Sequence, residues 1–137
     1  MTAIDISSRA VEKCAALARE RGVTVAAMQA DLLECDLGEE QFDLVTNFFY
    51  CERTLFAPVM RALRPQGMFV LQTYSIDQRH AGPGPRDPAF LLRPNEVLDH
   101  FRDYRIRYYE DAMITIEKQG ECRPGAIIRL IVEKRRP

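Results

Sequence analysis

Asp5 stands where a nucleotide could be gripped. Thr2-Ala3-Ile4 is a short, mostly apolar run without turn residues, Asp5 closes it, and Ser7 and Ser8 open a helical pattern. Strand, acidic residue, helix is an order found in nucleotide-binding α/β sheets, where the carboxylate accepts hydrogen bonds from both hydroxyls of a ribose. Asp31 follows the next apolar run, Val23–Met28, in the same way. On residue type alone Asp5 also fits a strand-end turn, and Asp31 a helix N-cap.

Further along, Asn47-Phe48-Phe49-Tyr50 closes a third apolar run and is followed by Glu52 and Arg53. Open α/β sheets bind ligands at the carboxyl ends of their strands, so these residues are candidates for a pocket wall. Arg86, in the loop around Gly82-Pro83-Gly84-Pro85, is a further candidate acceptor contact. Cys51 has no sequence signature tying it to His80 or His100, and a buried inert thiol is the expectation. No acid/base pair stands out, and no catalytic residue is assigned.

The elements that must position these residues follow in order. Val11, Cys14, Ala15, Leu17 and Ala18 recur at helical spacing up to Gly22, whose missing side chain suits a left-handed cap. Val23–Met28 reads as a strand buried on both faces. Phe42 to Val45 is the next strand. Thr54–Leu63 is a helix with Leu55, Val59, Ala62 and Leu63 inward, Arg64–Gly67 a turn, and Met68–Tyr74 a buried strand. Ser75–Pro88 reads as a loop, and Pro94 starts a helix carrying Val97, Leu98 and Phe101 on one face. Asp103–Tyr109 alternates as a strand, with Met113–Glu117 as its candidate continuation. A polar loop with Gly120 and Pro124-Gly125 then leads to a last strand, Ala126–Val132. That connection has no helix, so the last two strands are expected to be antiparallel.

At 137 residues, one domain is expected, with 47% hydrophobic and 28% charged residues, as in ordinary globular proteins. With 19 basic and 20 acidic residues the net charge is −1, which gives nucleic-acid or membrane-surface binding no support. Lys134-Arg135-Arg136 reads as a solvated terminus. Four scattered cysteines without CxxC spacing argue against zinc and suit a reducing, cytoplasmic setting. No signal peptide or apolar stretch of membrane-spanning length is visible.

Several stretches, in order, resemble class I S-adenosylmethionine-dependent methyltransferases, and within them the tellurite-resistance branch. They are Thr2–Val11, Ala30-Asp31-Leu32, Phe42–Tyr50, Leu63-Arg-Pro-Gln-Gly67, Gly84–Pro88, Leu91–Val97 and His100-Phe101. The resemblance implies a Rossmann-like α/β sheet and a methyl transfer to a small nucleophilic acceptor such as an oxyanion or thiol. It places the cofactor ribose on Asp5, with Ile6 beside it, the adenine amino group on Asp31 next to the Leu32 amide, and the sulfonium over Asn47 and Phe48. Phe49 would face the acceptor, with Tyr50, Arg53 and Arg86 as further acceptor candidates from their positions in the chain.

The family's first strand and helix, with the Gly-rich turn between them, have no counterpart in the sequence, and Gln66 stands where a glycine is usual. The sheet is therefore expected to be shortened at its N-terminal side. Two outcomes follow: the strands Thr2–Ile4 and Phe42–Val45 pair directly, or a second copy forms a homodimer that covers their exposed edges. A remnant of the fold that does not bind the cofactor is the alternative functional reading.

Overall fold

The computed structural model describes residues 1–118 and 120–136. It forms two compact units, residues 1–37 and 38–137.

The first unit is a βαβ turn. Strand β1 (Thr2–Asp5) pairs in parallel with β2 (Ala26–Gln29), from Thr2 opposite Ala26 to Asp5 opposite Gln29, and α1 (Ser8–Glu20) connects them. The helix begins where its cap is encoded: the Ser7 hydroxyl accepts from the Ala10 amide at 3.3 Å. It ends as the glycine dictates, with Gly22 at φ 64° and the Val23 amide returning to the Ala18 carbonyl. Of the predicted Val23–Met28 strand only Ala26–Met28 is in β2, which runs on to Gln29, and it is not buried on both faces. Met28 is 47% exposed. Within its unit β2 has one strand and one helix to pack against, which is too little to cover both sides of a strand.

The second unit is built on a four-stranded sheet in the order β3-β4-β6-β5. β3 (Phe42–Phe48) runs parallel to β4 (Leu63–Tyr74), β6 (Glu121–Glu133) is antiparallel to β4, and β5 (Arg105–Lys118) is antiparallel to β6. The antiparallel last pair is as the sequence predicts, and both strands run longer than expected. Pro124 and Gly125 lie in β6 rather than in a loop, opposite Thr115 and Ile114.

Alternate residues of β4 and β6 (Phe69, Leu71, Ile128, Leu130 and Val132) are buried. A 3-10 turn (Arg53–Leu55) leads into α2 (Phe56–Ala62), which buries Phe56, Val59, Met60 and Ala62. Leu91, Leu92, Val97 and Phe101 add to the same core, and the Phe56, Phe69 and Phe101 rings lie 5.2 to 6.4 Å apart. Each such side chain contributes about 1.5–3 kcal/mol through burial. Pro58, in the first turn of α2, interrupts nothing.

The predicted turn at residues 64–67 is instead a bulged stretch of β4. Gly67 lets the strands close here: a Cβ on it would sit 2.8 Å from the Arg64 carbonyl oxygen and 3.1 Å from that of Phe42. Gln66 holds φ 67° while its amide and the Gly67 carbonyl bond to Lys134. An L-residue in that region costs about 1–2 kcal/mol, offset in glycine by backbone entropy of about 0.5–1 kcal/mol. Gln66→Gly is therefore expected to stabilise the fold by about 0.5–1 kcal/mol, read as a raised urea midpoint at unchanged m-value.

Lys134 is more than a solvated tail residue. Its Nζ donates to the Leu63 carbonyl at 2.7 Å and to that of Arg61 at 3.3 Å, so it caps the end of α2. The predicted loop 75–88 contains a short helix, α3 (Gln78–Ala81). Gln78 is fully buried; its Oε1 accepts from the Ala126 amide at 2.7 Å and its Nε2 donates to the Pro83 carbonyl at 3.1 Å. That amide fastens the Gly-Pro loop to β6. α4 (Glu96–His100) follows Asn95 at φ 64°.

β1 and β3 do not pair with each other. Among the described residues β1 is bonded to β2 alone and β3 to β4 alone, so the expectation of direct pairing fails. The two strands lie in separate sheets. No helix among the described residues is long and apolar enough to cross a membrane.

Candidate cofactor and acceptor sites

In the first unit, Asp5 and Asp31 lie at the carboxyl ends of two adjacent parallel strands. The register sets Asp5 opposite Gln29, and the Ala30 amide donates to the Asp5 carbonyl at 3.1 Å. Each carboxylate closes a turn with one oxygen. Asp5 Oδ1 accepts from the Ser7 amide at 2.8 Å, and Asp31 Oδ1 from the Leu33 amide at 2.9 Å. Asp31 heads a turn, not a helix. A carboxylate has about four acceptor positions, so both retain capacity for a ligand while the turn fixes their direction. Gln29 Nε2 donates to the Ile6 carbonyl at 3.2 Å, tying the two strand ends together. Ile6 is 66% exposed and Leu32 half-buried.

The other predicted site residues belong to the second unit. Asn47 and Phe48 end β3, and Phe48 is 57% exposed. Phe49 adopts φ 58°, its amide donates to the Gln72 carbonyl at 2.7 Å, and its ring lies 5.0 Å from that of Tyr74. A left-handed aromatic residue at a strand's carboxyl end is strained backbone at a ligand-side position.

Arg53 uses all five of its N–H groups inside the unit. Nε donates to Glu96 Oε1 at 2.5 Å and Nη2 to Oε2 at 3.1 Å. Nη1 donates to the Ala89 carbonyl at 2.9 Å and to Cys51 Sγ at 3.6 Å, and Nη2 to the Leu91 carbonyl at 2.8 Å. The residue predicted to touch the acceptor thus binds the segment after β3 to residues 89–96. Arg86 is likewise turned onto its own loop, donating to the Arg79 carbonyl.

Burial pushes the Cys51 thiol up, more than the neighbouring Arg53 lowers it, so the thiol is protonated and unreactive near neutral pH. Burial also pushes Glu96 up, but hydrogen bonds from Arg53 and the Arg93 amide, with the charges of Arg53 and His100, outweigh it and hold the carboxyl below the usual range. A lowered folded value stabilises above the ordinary glutamate pKa, about 4.3, and is lost as pH falls through the lowered value. The stability difference between the unaltered protein and Glu96→Gln should accordingly be full at pH 7 and shrink towards pH 3 in urea melts. A constant difference would assign Glu96 a role in packing alone.

A cavity of about 420 Å³ opens beside this ion pair, with Arg53, Arg93 and Glu96 as its polar wall and Ile76, Pro88, Ala89 and Leu91 as its apolar one. Sequence reasoning assigned no role to Glu96 or Arg93, although both lie in the resembling stretch 91–97. Their meaning depends on Arg53, 43 residues from Glu96. No group of side chains suited to a metal ion occurs among the described residues.

Residues 1–67 match a family described as a methyltransferase domain. The structure superposes on TehB from Haemophilus influenzae with a TM-score of 0.76 at 13% identity, covering 98% of this chain and 49% of that one. A SAM-dependent methyltransferase from Methanosarcina mazei gives 0.73 at 16% identity, over 99% of this chain and 82% of that one. The fold is that of a class I methyltransferase. The [4+2]-cyclase SpnF shares this methyltransferase-type fold, with a TM-score of 0.71 at 17% identity, over 99% of this chain and 66% of that one. The chain thus spans about half the length of TehB. No curated protein matches it in sequence.

Proposed function

We propose that the chain is part of an S-adenosylmethionine-dependent methyltransferase acting on a small nucleophilic acceptor. The observation that carries this reading is the pair of turn-fixed carboxylates, Asp5 and Asp31, on adjacent strand ends with acceptor positions to spare. They fit the nucleoside part of the cofactor: Asp5 for the ribose hydroxyls, Asp31 for the adenine amino group, with Ile6 and Leu32 flanking. When bound, the cofactor supplies a methyl group already activated on a sulfonium. The protein's task is then alignment and exclusion of water, for which Asn47 offers a polar contact and Phe48, Phe49 and Tyr50 an apolar wall. A soft or anionic acceptor needs no general base. Tellurite is one such acceptor, suggested by the sequence resemblance to the tellurite-resistance branch alone.

Calorimetric titration of the folded chain with S-adenosylmethionine and with NAD tests the reading. Heat with the former alone supports it, and no binding of the former favours the remnant that does not hold the cofactor. A second copy covering the strand edges of β1 and β3 is part of the same proposal. Sedimentation as a monomer across micromolar concentrations would remove that part.

A further inference from the structure

The cavity beside Arg53 lies at the carboxyl ends of two parallel strands. Arg53 follows the end of β3 by five residues and Ile76 follows the end of β4 by two. In open α/β sheets this is where ligands sit. Its far wall is held firmly. The Leu92 amide donates to the Tyr74 carbonyl at 3.0 Å, the Ile76 amide to the Leu92 carbonyl at 2.8 Å, and Leu92 is fully buried.

The charges of the wall do not cancel. Arg53 and Glu96 neutralise each other in a bidentate pair, and His100 Nε2 lies 4.0 Å from Glu96. The Arg93 amide is fixed on Glu96 Oε2 at 2.8 Å. The Arg93 guanidinium, by contrast, has no carboxylate partner among the described residues. One cation without a carboxylate partner therefore lines a cavity whose other charged residues, Arg53 and Glu96, pair with each other and whose remaining wall is apolar. A planar guanidinium fork suits a carboxylate, and the four apolar residues would leave an inorganic oxyanion largely without partners. The volume falls within the range of small-ligand pockets.

We propose that this cavity binds a small organic carboxylate, its anionic end on Arg93 and its hydrocarbon body against Ile76, Pro88, Ala89 and Leu91. All the lining residues fall between 53 and 96, so binding can be tested on the cofactor-free chain, apart from methyl transfer.

Calorimetric titration of the cofactor-free chain with benzoate, benzamide and inorganic phosphate is the experiment. Benzoate should bind at least roughly tenfold tighter than either of the others, since benzamide lacks the charge and phosphate the apolar body. Arg93→Gln should reduce benzoate to the level of benzamide without moving the thermal midpoint, because the side chain is exposed, and Arg93→Lys should retain part of the preference. In the unaltered protein the Arg93 Nε–H resonance should shift as benzoate is added. Equal affinity for benzoate and benzamide, tighter binding of phosphate, full benzoate affinity in Arg93→Gln, or no benzoate binding by folded protein at millimolar concentration would each overturn the proposal.

Discussion

Asp5→Asn is expected to weaken S-adenosylmethionine binding by roughly 10- to 100-fold, while leaving the unliganded fold as stable as before. The separation of the two effects follows from the turn geometry. Asparagine keeps an oxygen for the Ser7 amide, which in the native chain reaches Asp5 Oδ1 at 2.8 Å, and the side chain is exposed, so the strand end is undisturbed. What is lost is the charged acceptor oxygen left for the ribose, replaced by an NH2 donor, and hydrogen bonds to charged groups contribute about 1.5–3 kcal/mol. Asp31→Asn preserves the Leu33 turn in the same way and should cost a similar factor through the adenine amino group. The two losses should add, because the carboxylates would hold different parts of one ligand. Calorimetry on both single variants and the double variant measures this. Undiminished affinity in Asp5→Asn would remove that residue from the site.

The features legible in the sequence are those encoded locally. Helix α1 is bounded by Ser7 and Gly22 because a hydroxyl cap and a left-handed glycine act within a turn of chain, and the structure uses both. Asp5 and Asp31 were likewise readable as strand-end acids. The misreadings share a different cause. Pro124-Gly125 has loop composition, yet the hairpin pairing of β5 with β6 carries both into a strand, with Ile116 packed where a Gly125 side chain would be. Residues 64–67 have turn composition, yet backbone bonds between Gln66, Gly67 and Lys134, nearly seventy residues away, hold them in β4 as a bulge. α3 is a single turn whose anchor is the Gln78–Ala126 bond, again distant in sequence. Arg53 stands out in the sequence by its position after a strand, but its role depends on Glu96. A guanidinium facing solvent and one locked in five bonds look the same in one dimension.

Arg53→Met is expected to destabilise the second unit by about 3 kcal/mol, the largest single-residue effect anticipated at the site. Methionine preserves much of the aliphatic stem but leaves Glu96, whose side chain is 18% exposed, with the Arg93 amide as its remaining close donor. Breaking a buried pair from one side costs about 3–5 kcal/mol, and the Arg53 side chain, 32% exposed, argues for the lower end. The Ala89 and Leu91 carbonyls lose a donor at the same time. Arg53→Lys should recover little, because a compact ammonium cannot span two carboxylate oxygens, two carbonyls and a thiol. Arg53→Met combined with Glu96→Met should recover part of the loss by removing the stranded charge, and urea melts of the single and double variants give the coupling directly. A loss below about 0.5 kcal/mol in Arg53→Met would place the residue among ordinary surface pairs. The expected result makes it the bond that keeps the chain after β3 and the 89–91 segment at a fixed separation. The cavity between them then has a defined shape before any ligand arrives, which reduces the ordering cost of binding.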